Sequence, residues 1–109
     1  MNINISKIKF EEEVYDDLLH EFTLYFIAPK DLVKDRYPEA DCSTISLEFT
    51  TGTTMISPSK NGVDYNWSDI KLDDDTIDGL IHLYGSYVLS KYCLHTNKEA
   101  DKNAERRSH

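Results

Sequence analysis

The clearest structural signal in this chain is an apolar stripe between about residue 76 and residue 93. Side chains that share one face of an α-helix recur there at intervals of three and four residues: Ile77, Leu80, Ile81, Tyr84, Val88 and Tyr92. Asp75 is the expected N-cap, because Asp78 follows it three residues later. Asp73 and Asp74 precede it at the positive end of the helix dipole. The sequence therefore predicts a closing amphipathic helix, whose apolar face must pack on another layer.

Most of the preceding chain is typical of strands. Residues 22–28, FTLYFIA, are rich in aromatic and β-branched side chains and are followed by a proline. Residues 42–50, CSTISLEFT, alternate apolar and polar side chains, and a turn joins them to a second short strand at 53–58. Asn61 and Gly62 mark another turn, since both residue types tolerate a positive φ. These patterns predict a sheet that contains at least one hairpin.

The segment from residue 10 to residue 22 has two interpretations. Its apolar residues follow helical spacing, at Phe10, Val14, Tyr15, Leu18, Leu19 and Phe22. The carboxylates between them would then face mostly away from the stripe: Glu11, Glu12, Glu13, Asp16, Asp17 and Glu21. Alternatively, Asp16 and Asp17 turn a β-hairpin between FEEEVY and LLHEFTLYF. The sequence leaves helix and hairpin open.

Two further segments are short. The opening residues 4–10, NISKIKF, alternate loosely and are expected to form a strand. Residues 29–38 begin and end near prolines, which favours a helix of two turns with Leu32 and Val33 facing inwards.

Together these elements predict the α+β class. We expect a small, largely antiparallel β-sheet covered on one face by the C-terminal helix, with a short helix at 29–38 and an N-terminal helix or hairpin. Residues 1–94 form the predicted single domain, a length that suits one hydrophobic core. Residues 95–109 have no aliphatic side chain larger than alanine and are expected to form a flexible polar tail. Gly79 and Gly85 are expected to allow close packing of the helix against the sheet.

The expected compartment is the cytoplasm. The first ten residues lack the long apolar stretch of a signal peptide, and no apolar run approaches the roughly 18 residues of a membrane span. Cys42 and Cys93 are far apart, which fits a reducing compartment better than a disulfide framework. We therefore expect no contact with a membrane.

The chain is acidic, with 20 Asp and Glu against 12 Lys and Arg. Residues 1–94 carry 17 of these acids and eight of the bases, a net charge of −9. Residues 11–21 hold six carboxylates without a Lys or Arg, and residues 64–78 hold six more against one lysine. This charge argues against direct binding of nucleic acid, because phosphate recognition needs clustered cations. It indicates a basic protein partner.

Residues 64–69, DYNWSD, contain the single tryptophan of the chain, flanked by a tyrosine and two aspartates. Aromatic side chains supply rigid contact area, and carboxylates select a cationic partner. Trp67 could instead plug the end of the sheet, and both roles are compatible if its ring is half exposed. The candidate partner-binding residues are Asp64, Tyr65, Trp67, Asp69, Asp73, Asp74, Asp75, Glu12, Asp16 and Asp17.

No metal site, cofactor or catalytic residue is expected. Cys93 and His95 could join Cys42, His20 or His82 as zinc ligands, but the chain has no C-x-x-C pair. Cys42 opens a strand and is expected to pack as a small apolar side chain. No carboxylate pair is singled out for glycoside hydrolysis, and the glycines do not form a nucleotide-binding loop. We therefore expect that the protein is not an enzyme.

A small, acidic, cysteine-poor α+β chain without catalytic motifs resembles the immunity proteins of bacterial toxin–immunity pairs. The resemblance implies inhibition by occlusion of a basic toxin such as a nuclease. Trp67 and Tyr65 would anchor the contact, while the carboxylates of residues 64–75 pair with Lys or Arg of the toxin. Such attraction speeds association and weakens with salt.

Two alternatives remain at this stage. A phage-type inhibitor could mimic nucleic acid, with Glu11–Glu13 and Asp16–Asp17 at phosphate-like spacing along an extended stripe. A compact acidic patch with an aromatic centre would instead indicate an occluding inhibitor. A small non-catalytic ligand-binding domain would require a concave pocket. The sequence leaves the identity of the partner and the oligomeric state open.

Overall fold

The computed structural model describes the backbone of residues 3–107 and the side chains of residues 3–92. One antiparallel sheet contains six strands: β1 (Lys9–Asp16), β2 (Glu21–Ala28), β3 (Cys42–Glu48), β4 (Thr54–Lys60), β5 (Val63–Asp64) and β6 (Ser68–Asp69). The first four strands lie in chain order, and β5 and β6 both pair with β4. A single α-helix, α1 (Asp74–Arg107), closes the chain. The predicted α+β fold, an antiparallel sheet with a C-terminal helix, is confirmed.

Residues 10–22 form a hairpin, so the helical interpretation of this segment is wrong. Strands β1 and β2 pair along their length, from Lys9 opposite Ile27 to Asp16 opposite Glu21. An Asp16 carboxylate oxygen accepts hydrogen bonds from the N–H groups of Leu18 and Leu19, and these bonds fix the turn. Leu18, which contributed to the helical spacing, is 92% exposed at the tip of this turn. The helical spacing of the apolar residues in this segment therefore does not correspond to a buried face, and pairing with β2 determines its conformation.

The two short segments also differ from prediction. The expected opening strand is a 3-10 helix at Ile5–Lys7, capped by the side chain of Asn4. The two-turn helix expected at 29–38 is reduced to a 3-10 helix at Lys30–Leu32 followed by turns. A 3-10 turn suits such a short connection, because it needs few residues for one hydrogen bond. Val33 is buried, as predicted.

The central hairpin of β3 and β4 is confirmed, with Ile45 opposite Ile56. The predicted turn after β4 is also confirmed. Asn61 and Gly62 have φ values of 54° and 79°, the left-handed conformations that a tight turn between right-twisted strands requires.

Helix α1 begins earlier than the apolar stripe suggests. Its N-cap is Asp73 rather than Asp75, because the Asp73 carboxylate accepts the Thr76 N–H at 3.1 Å. A Cβ atom at Gly79 would lie 2.8 Å from Ile5, so this glycine does allow close packing, although against the N-terminal segment. Gly85 has open space around it, so the same expectation is wrong there. The flexible tail predicted for 95–109 lies outside the residues whose side chains are described and stays a prediction.

The hydrophobic core lies between the sheet and α1. Strand side chains alternate, so that Leu24 and Phe26 of β2 point to this face, together with their cross-strand neighbours Leu47 and Ile45. Leu80 of α1 is fully buried against them. We call this side of the sheet the helix-side face. Its buried residues, with those of the connecting segments, are Ile3, Ile8, Leu24, Phe26, Ala28, Val33, Ala40, Ile45, Leu47, Ile56, Leu72 and Leu80.

Within the described part of the chain, no helix has both the length and the apolar character needed to cross a bilayer.

Candidate functional site

The opposite side of the sheet, which we call the open face, carries a row of side chains across five strands. The backbone register places them directly side by side, in the order Glu12, Tyr25, Ser46, Met55 and Asp69. The strands are spaced by about 4.8 Å, so four spacings, about 19 Å measured along the curled sheet, separate the backbones that carry the two end carboxylates. The row therefore has a carboxylate at each end. An aromatic ring, a small hydroxyl side chain and a thioether lie between them.

Small hydroxyl side chains on the open face are buried although they point away from the core. Thr44, Ser46, Ser57 and Ser59 are 4%, 8%, 0% and 3% exposed. Burial of a hydroxyl is tolerated only when it has hydrogen-bond partners, because desolvation is otherwise costly. Some other part of the chain must therefore cover this face and bond to it.

The cover is the aromatic pair formed by Tyr25 and Trp67. Strands β3 and β4 separate the backbones of these residues, yet the ring centroids lie 6.1 Å apart in an edge-to-face arrangement. Both side chains must therefore lean towards each other over the small hydroxyl residues between them. Trp67 remains 36% exposed. Its indole both covers the sheet and presents a surface to solvent, which makes the two sequence-based roles compatible.

A break in the outer strand carries Trp67 onto the open face. Between β5 and β6, the Tyr65 N–H still bonds to the Pro58 carbonyl at 3.2 Å. The next N–H, of Asn66, donates to the side-chain oxygen of Ser57 at 3.2 Å rather than to a backbone carbonyl. Since the Ser57 hydroxyl belongs to the open face, the backbone at this point rises over it. The two-residue strands β5 and β6 thus bracket the segment that positions the indole.

Asp64 is fixed on the same face by hydroxyl groups. Its carboxylate accepts a hydrogen bond from Thr44 at 2.8 Å and another from Ser59. The two hydroxyl oxygens also lie 2.9 Å from each other. This network holds one charge in a defined position while leaving the residue itself exposed.

A β-bulge brings two more carboxylates beside Asp64. The β1–β2 register shifts between Phe10 and Glu12, so that Glu11 is the extra residue and Glu11 and Glu12 together oppose Tyr25. Partial burial, and then the charges of Glu12 and Asp64, raise the pKa of Glu11. Burial and nearby carboxylates, those of Glu12 and Asp64 first, also raise the pKa of the Tyr25 hydroxyl. The negative charges of Glu11, Glu12 and Asp64 are therefore close enough to repel one another on the open face.

Two further carboxylates, Glu21 and Glu48, lie near Tyr25 on the open face. A shallow hollow of about 310 Å³ is lined there by Glu21, Thr23, Tyr25, Ser46, Glu48, Thr51, Thr53 and Met55. The Thr51 hydroxyl donates to Glu48 at 2.5 Å, and the N–H groups of Thr50 and Thr51 donate as well. These bonds, that of the Thr51 side chain first, lower the pKa of Glu48 to about 2, so this carboxylate stays charged at neutral pH.

Around the Trp67–Tyr25 pair, the open face brings together four of the candidates named from sequence: Glu12, Asp64, Trp67 and Asp69. Sequence reasoning did not identify Tyr25 as their partner. The signal was the alternation in β2, where Tyr25 stands between Leu24 and Phe26 and must therefore point away from the core. The bulge at Glu11 and the approach of Glu48 to Tyr25 depend on strand pairing, which single-strand patterns do not specify.

The remaining candidates lie away from the Trp67–Tyr25 pair, and three of them have structural partners: Tyr65, Asp16 and Asp73. Tyr65 points away from Trp67, with its ring 5.6 Å from that of Tyr37 and its hydroxyl donating to Glu39 at 3.1 Å. Three others belong to the start of α1, where Asp73 is the N-cap and Asp74 and Asp75 lie in the first turn. Asp16 lies opposite Glu21 at the end of β1, on the side of the open face, but its carboxylate fixes the first hairpin turn. Asp17 follows it as an exposed turn residue.

Among the side chains described, residues 3–92, no group of three His, Cys, Asp or Glu is arranged to hold a metal ion. Cys42 is a free thiol at the start of β3, and partial burial, the largest cause, raises its pKa. The thiol is therefore protonated at neutral pH, consistent with packing rather than nucleophilic attack.

Comparison of the chain with protein-family models, with curated proteins and with solved structures found no match.

Proposed function

We propose that the open face binds a basic protein and that the chain acts in the cytoplasm as an inhibitor of the immunity-protein type, without catalysis of its own. The observation that carries this proposal is the half-exposed Trp67–Tyr25 pair between the carboxylates of Glu12 and Asp69, which end the row on the open face. Binding hot spots are enriched in tryptophan and tyrosine, and a surrounding rim of charge selects the partner.

Crowding of the carboxylates supports a cationic partner. Partial burial first, and then the charges of Glu12 and Asp64, raise the pKa of Glu11 and so disfavour its charged form. Lysine or arginine side chains from another protein would relieve this repulsion on binding. The net charge of −8 would also attract such a partner from a distance.

The layout of the open face supports occlusion rather than mimicry of nucleic acid. A mimic needs charges along an extended stripe, whereas an occluding inhibitor needs a compact patch with an aromatic centre. Glu12, Asp64 and Asp69 surround such a centre. The Asp16 carboxylate, farther along β1, accepts the Leu18 and Leu19 N–H groups, and Asp17 lies in the hairpin turn, so the two do not continue Glu12 as a stripe of free charges.

The test is affinity capture from a lysate of the source cell at low salt, followed by elution with high salt and mass spectrometry. The wild-type chain should retain one dominant basic protein. A Glu11→Gln/Glu12→Gln double variant should retain much less of it, because the acidic end of the open face is lost.

The matched control is Asp35→Asn/Asp78→Asn, which removes two exposed carboxylates outside the open face. This variant should capture the partner as the wild type does. The eluted protein is then assayed alone and with the chain, and its activity should fall when the complex forms. Equal losses of capture in both double variants would show that only net charge matters, which would contradict a binding site on the open face. The absence of any salt-released partner would also contradict the proposal.

A further inference from the structure

A second concave surface lies on the helix-side face, where α1 passes over the edge strand β1. It is a groove of about 400 Å³. Its lining consists of Glu13, Tyr84, Tyr87, Val88, Lys91 and Tyr92. The five helical residues repeat at intervals of three, one, three and one, so they share one face of α1. This is the outer end of the apolar stripe, and Tyr92 is 66% exposed there.

Two of the three tyrosine rings are held in place by the core. The ring of Tyr87 lies 4.7 Å from that of Phe10, and the ring of Tyr84 lies 5.3 Å from it. Phe10 in turn packs edge-to-face on the buried Phe26 at 5.6 Å. The groove therefore has preformed aromatic walls, and only Tyr92 extends beyond this support.

A carboxylate is part of the same wall. Glu13 lies opposite the buried Leu24 in the strand register, so its side chain is on the helix-side face. The Tyr84 hydroxyl donates to it at 2.5 Å and thereby fixes its position beside the rings. A neutral apolar ligand in this groove would remove water from Glu13 without replacing its hydrogen bonds, which is unfavourable.

The chain already places a cation in this groove. The Lys91 ammonium group lies 5.9 Å from the centroid of the Tyr87 ring. That distance is near the outer limit of about 6 Å for a cation–π interaction. A primary ammonium ion is strongly hydrated, so Lys91 is a weak occupant. A methylated ammonium group sheds water more readily and prefers aromatic walls.

We propose that the groove between Glu13 and the rings of Tyr84, Tyr87 and Tyr92 binds a quaternary ammonium group, which displaces the Lys91 side chain. This site lies on the other side of the sheet from the open face. The proposal therefore does not depend on the proposed function, and either can fail alone.

The test is a calorimetric or NMR titration of the full chain with choline and with its neutral isostere 3,3-dimethyl-1-butanol. Choline should bind and shift the resonances of Tyr87 and Lys91, whereas the neutral alcohol should bind at least about fivefold more weakly. A blocked trimethyllysine amide distinguishes the source of the group. Preference for choline assigns the groove to a free small molecule, and preference for the amide assigns it to a modified protein.

Variants separate the site from general stability. Lys91→Ala should tighten choline binding, because the competing cation is gone. Glu13→Gln and Tyr92→Ala should each weaken it about two- to fivefold. Both positions are exposed, so the variants should keep the wild-type circular dichroism spectrum. Glu39→Gln is the matched control, because Glu39 also accepts a tyrosine hydroxyl but lies outside the groove.

Equal binding of choline and the neutral alcohol would overturn the proposal. So would unchanged or weaker choline binding in Lys91→Ala, because this result would show that the ammonium of Lys91 does not compete for the groove.

Discussion

The two faces of the sheet are built from the same strands, but one buries apolar side chains and the other buries small hydroxyl side chains. On the helix-side face, Leu24, Phe26 and Ile45 are fully buried under α1. On the open face, their immediate neighbours Tyr25 and Ser46 belong to a surface of hydroxyls, two aromatic rings and carboxylates. Strand alternation produces this contrast residue by residue. The helix-side face therefore carries most of the apolar burial, whereas the open face carries hydrogen-bonded polar groups and charge.

The open face is nevertheless not a loose surface. Its buried hydroxyls are hydrogen-bonded, since Thr44 and Ser59 bond to Asp64 and Ser57 accepts the Asn66 N–H. A network of this kind fixes the Asp64 carboxylate and the backbone next to Trp67 in the free chain. Such preorganisation reduces the ordering cost of binding.

The strongest test of the comparison removes a core ring. Phe26→Ala should lower the free energy of unfolding by about 3–5 kcal/mol, because it deletes a fully buried side chain and leaves a cavity. Urea denaturation measures the change. Tyr25→Ala, one residue away on the open face, is the control and should cost clearly less. Equal losses would show that the two faces share the work of stabilisation.

The next test concerns the aromatic centre of the open face. Trp67→Ala should weaken binding of the captured basic protein by more than about 2 kcal/mol, because a half-exposed tryptophan framed by charge is expected to be a hot spot. Calorimetry with the folded variant measures this loss. Tyr65→Ala is the control, since Tyr65 packs on Tyr37 instead. Unchanged affinity in folded Trp67→Ala would remove Trp67 from the interface.

A smaller effect separates structural acids from binding acids. Asp73→Ala should lower the melting temperature, by less than Phe26→Ala, because the Thr76 N–H loses its cap. Asp75→Ala should change it less, since Asp75 is not the N-cap. Neither variant should alter partner affinity beyond the general effect of one lost charge. A large loss of affinity in either would extend the binding surface to the start of α1.

The smallest effect is a pH dependence on the open face. Hydrogen bonds hold the pKa of Glu48 at about 2, against 4.5 for a free side chain. A depressed carboxylate pKa contributes stability that is complete above about 4.5 and is lost as the pH falls to about 2. The stability difference between wild type and Glu48→Gln should therefore shrink over this interval in thermal melts. A constant difference would contradict the role of these bonds.

Sequence patterns predicted the elements better than their contacts. The alternation of residues 42–50 and the Asn61-Gly62 turn each specify a local geometry, and both predictions were correct. Residues 10–22 fit two periodicities, and only pairing with β2 decided between them. The closing helix was evident, but its cap was assigned two residues late because several aspartates in succession satisfy the same rule.

The candidate site was predicted in part for the same reason. Asp64 and Trp67 attract attention as neighbours in sequence, and the structure keeps them on one face. Tyr25 is about 40 residues away and reaches Trp67 only because β3 and β4 lie between them. Acidic residues that look alike in sequence have different roles once Asp16 and Asp73 are seen to accept backbone N–H groups.

The most direct test of the central claim is hydroxyl-radical footprinting of the chain with and without the salt-eluted basic protein. Trp67 and Met55 on the open face and Tyr87 and Tyr92 on the helix-side face are oxidisable reporters, which mass spectrometry can quantify separately. The account predicts that the partner protects Trp67 and Met55 and leaves Tyr87 and Tyr92 unchanged. Protection of the two tyrosines with full oxidation of Trp67 would contradict it.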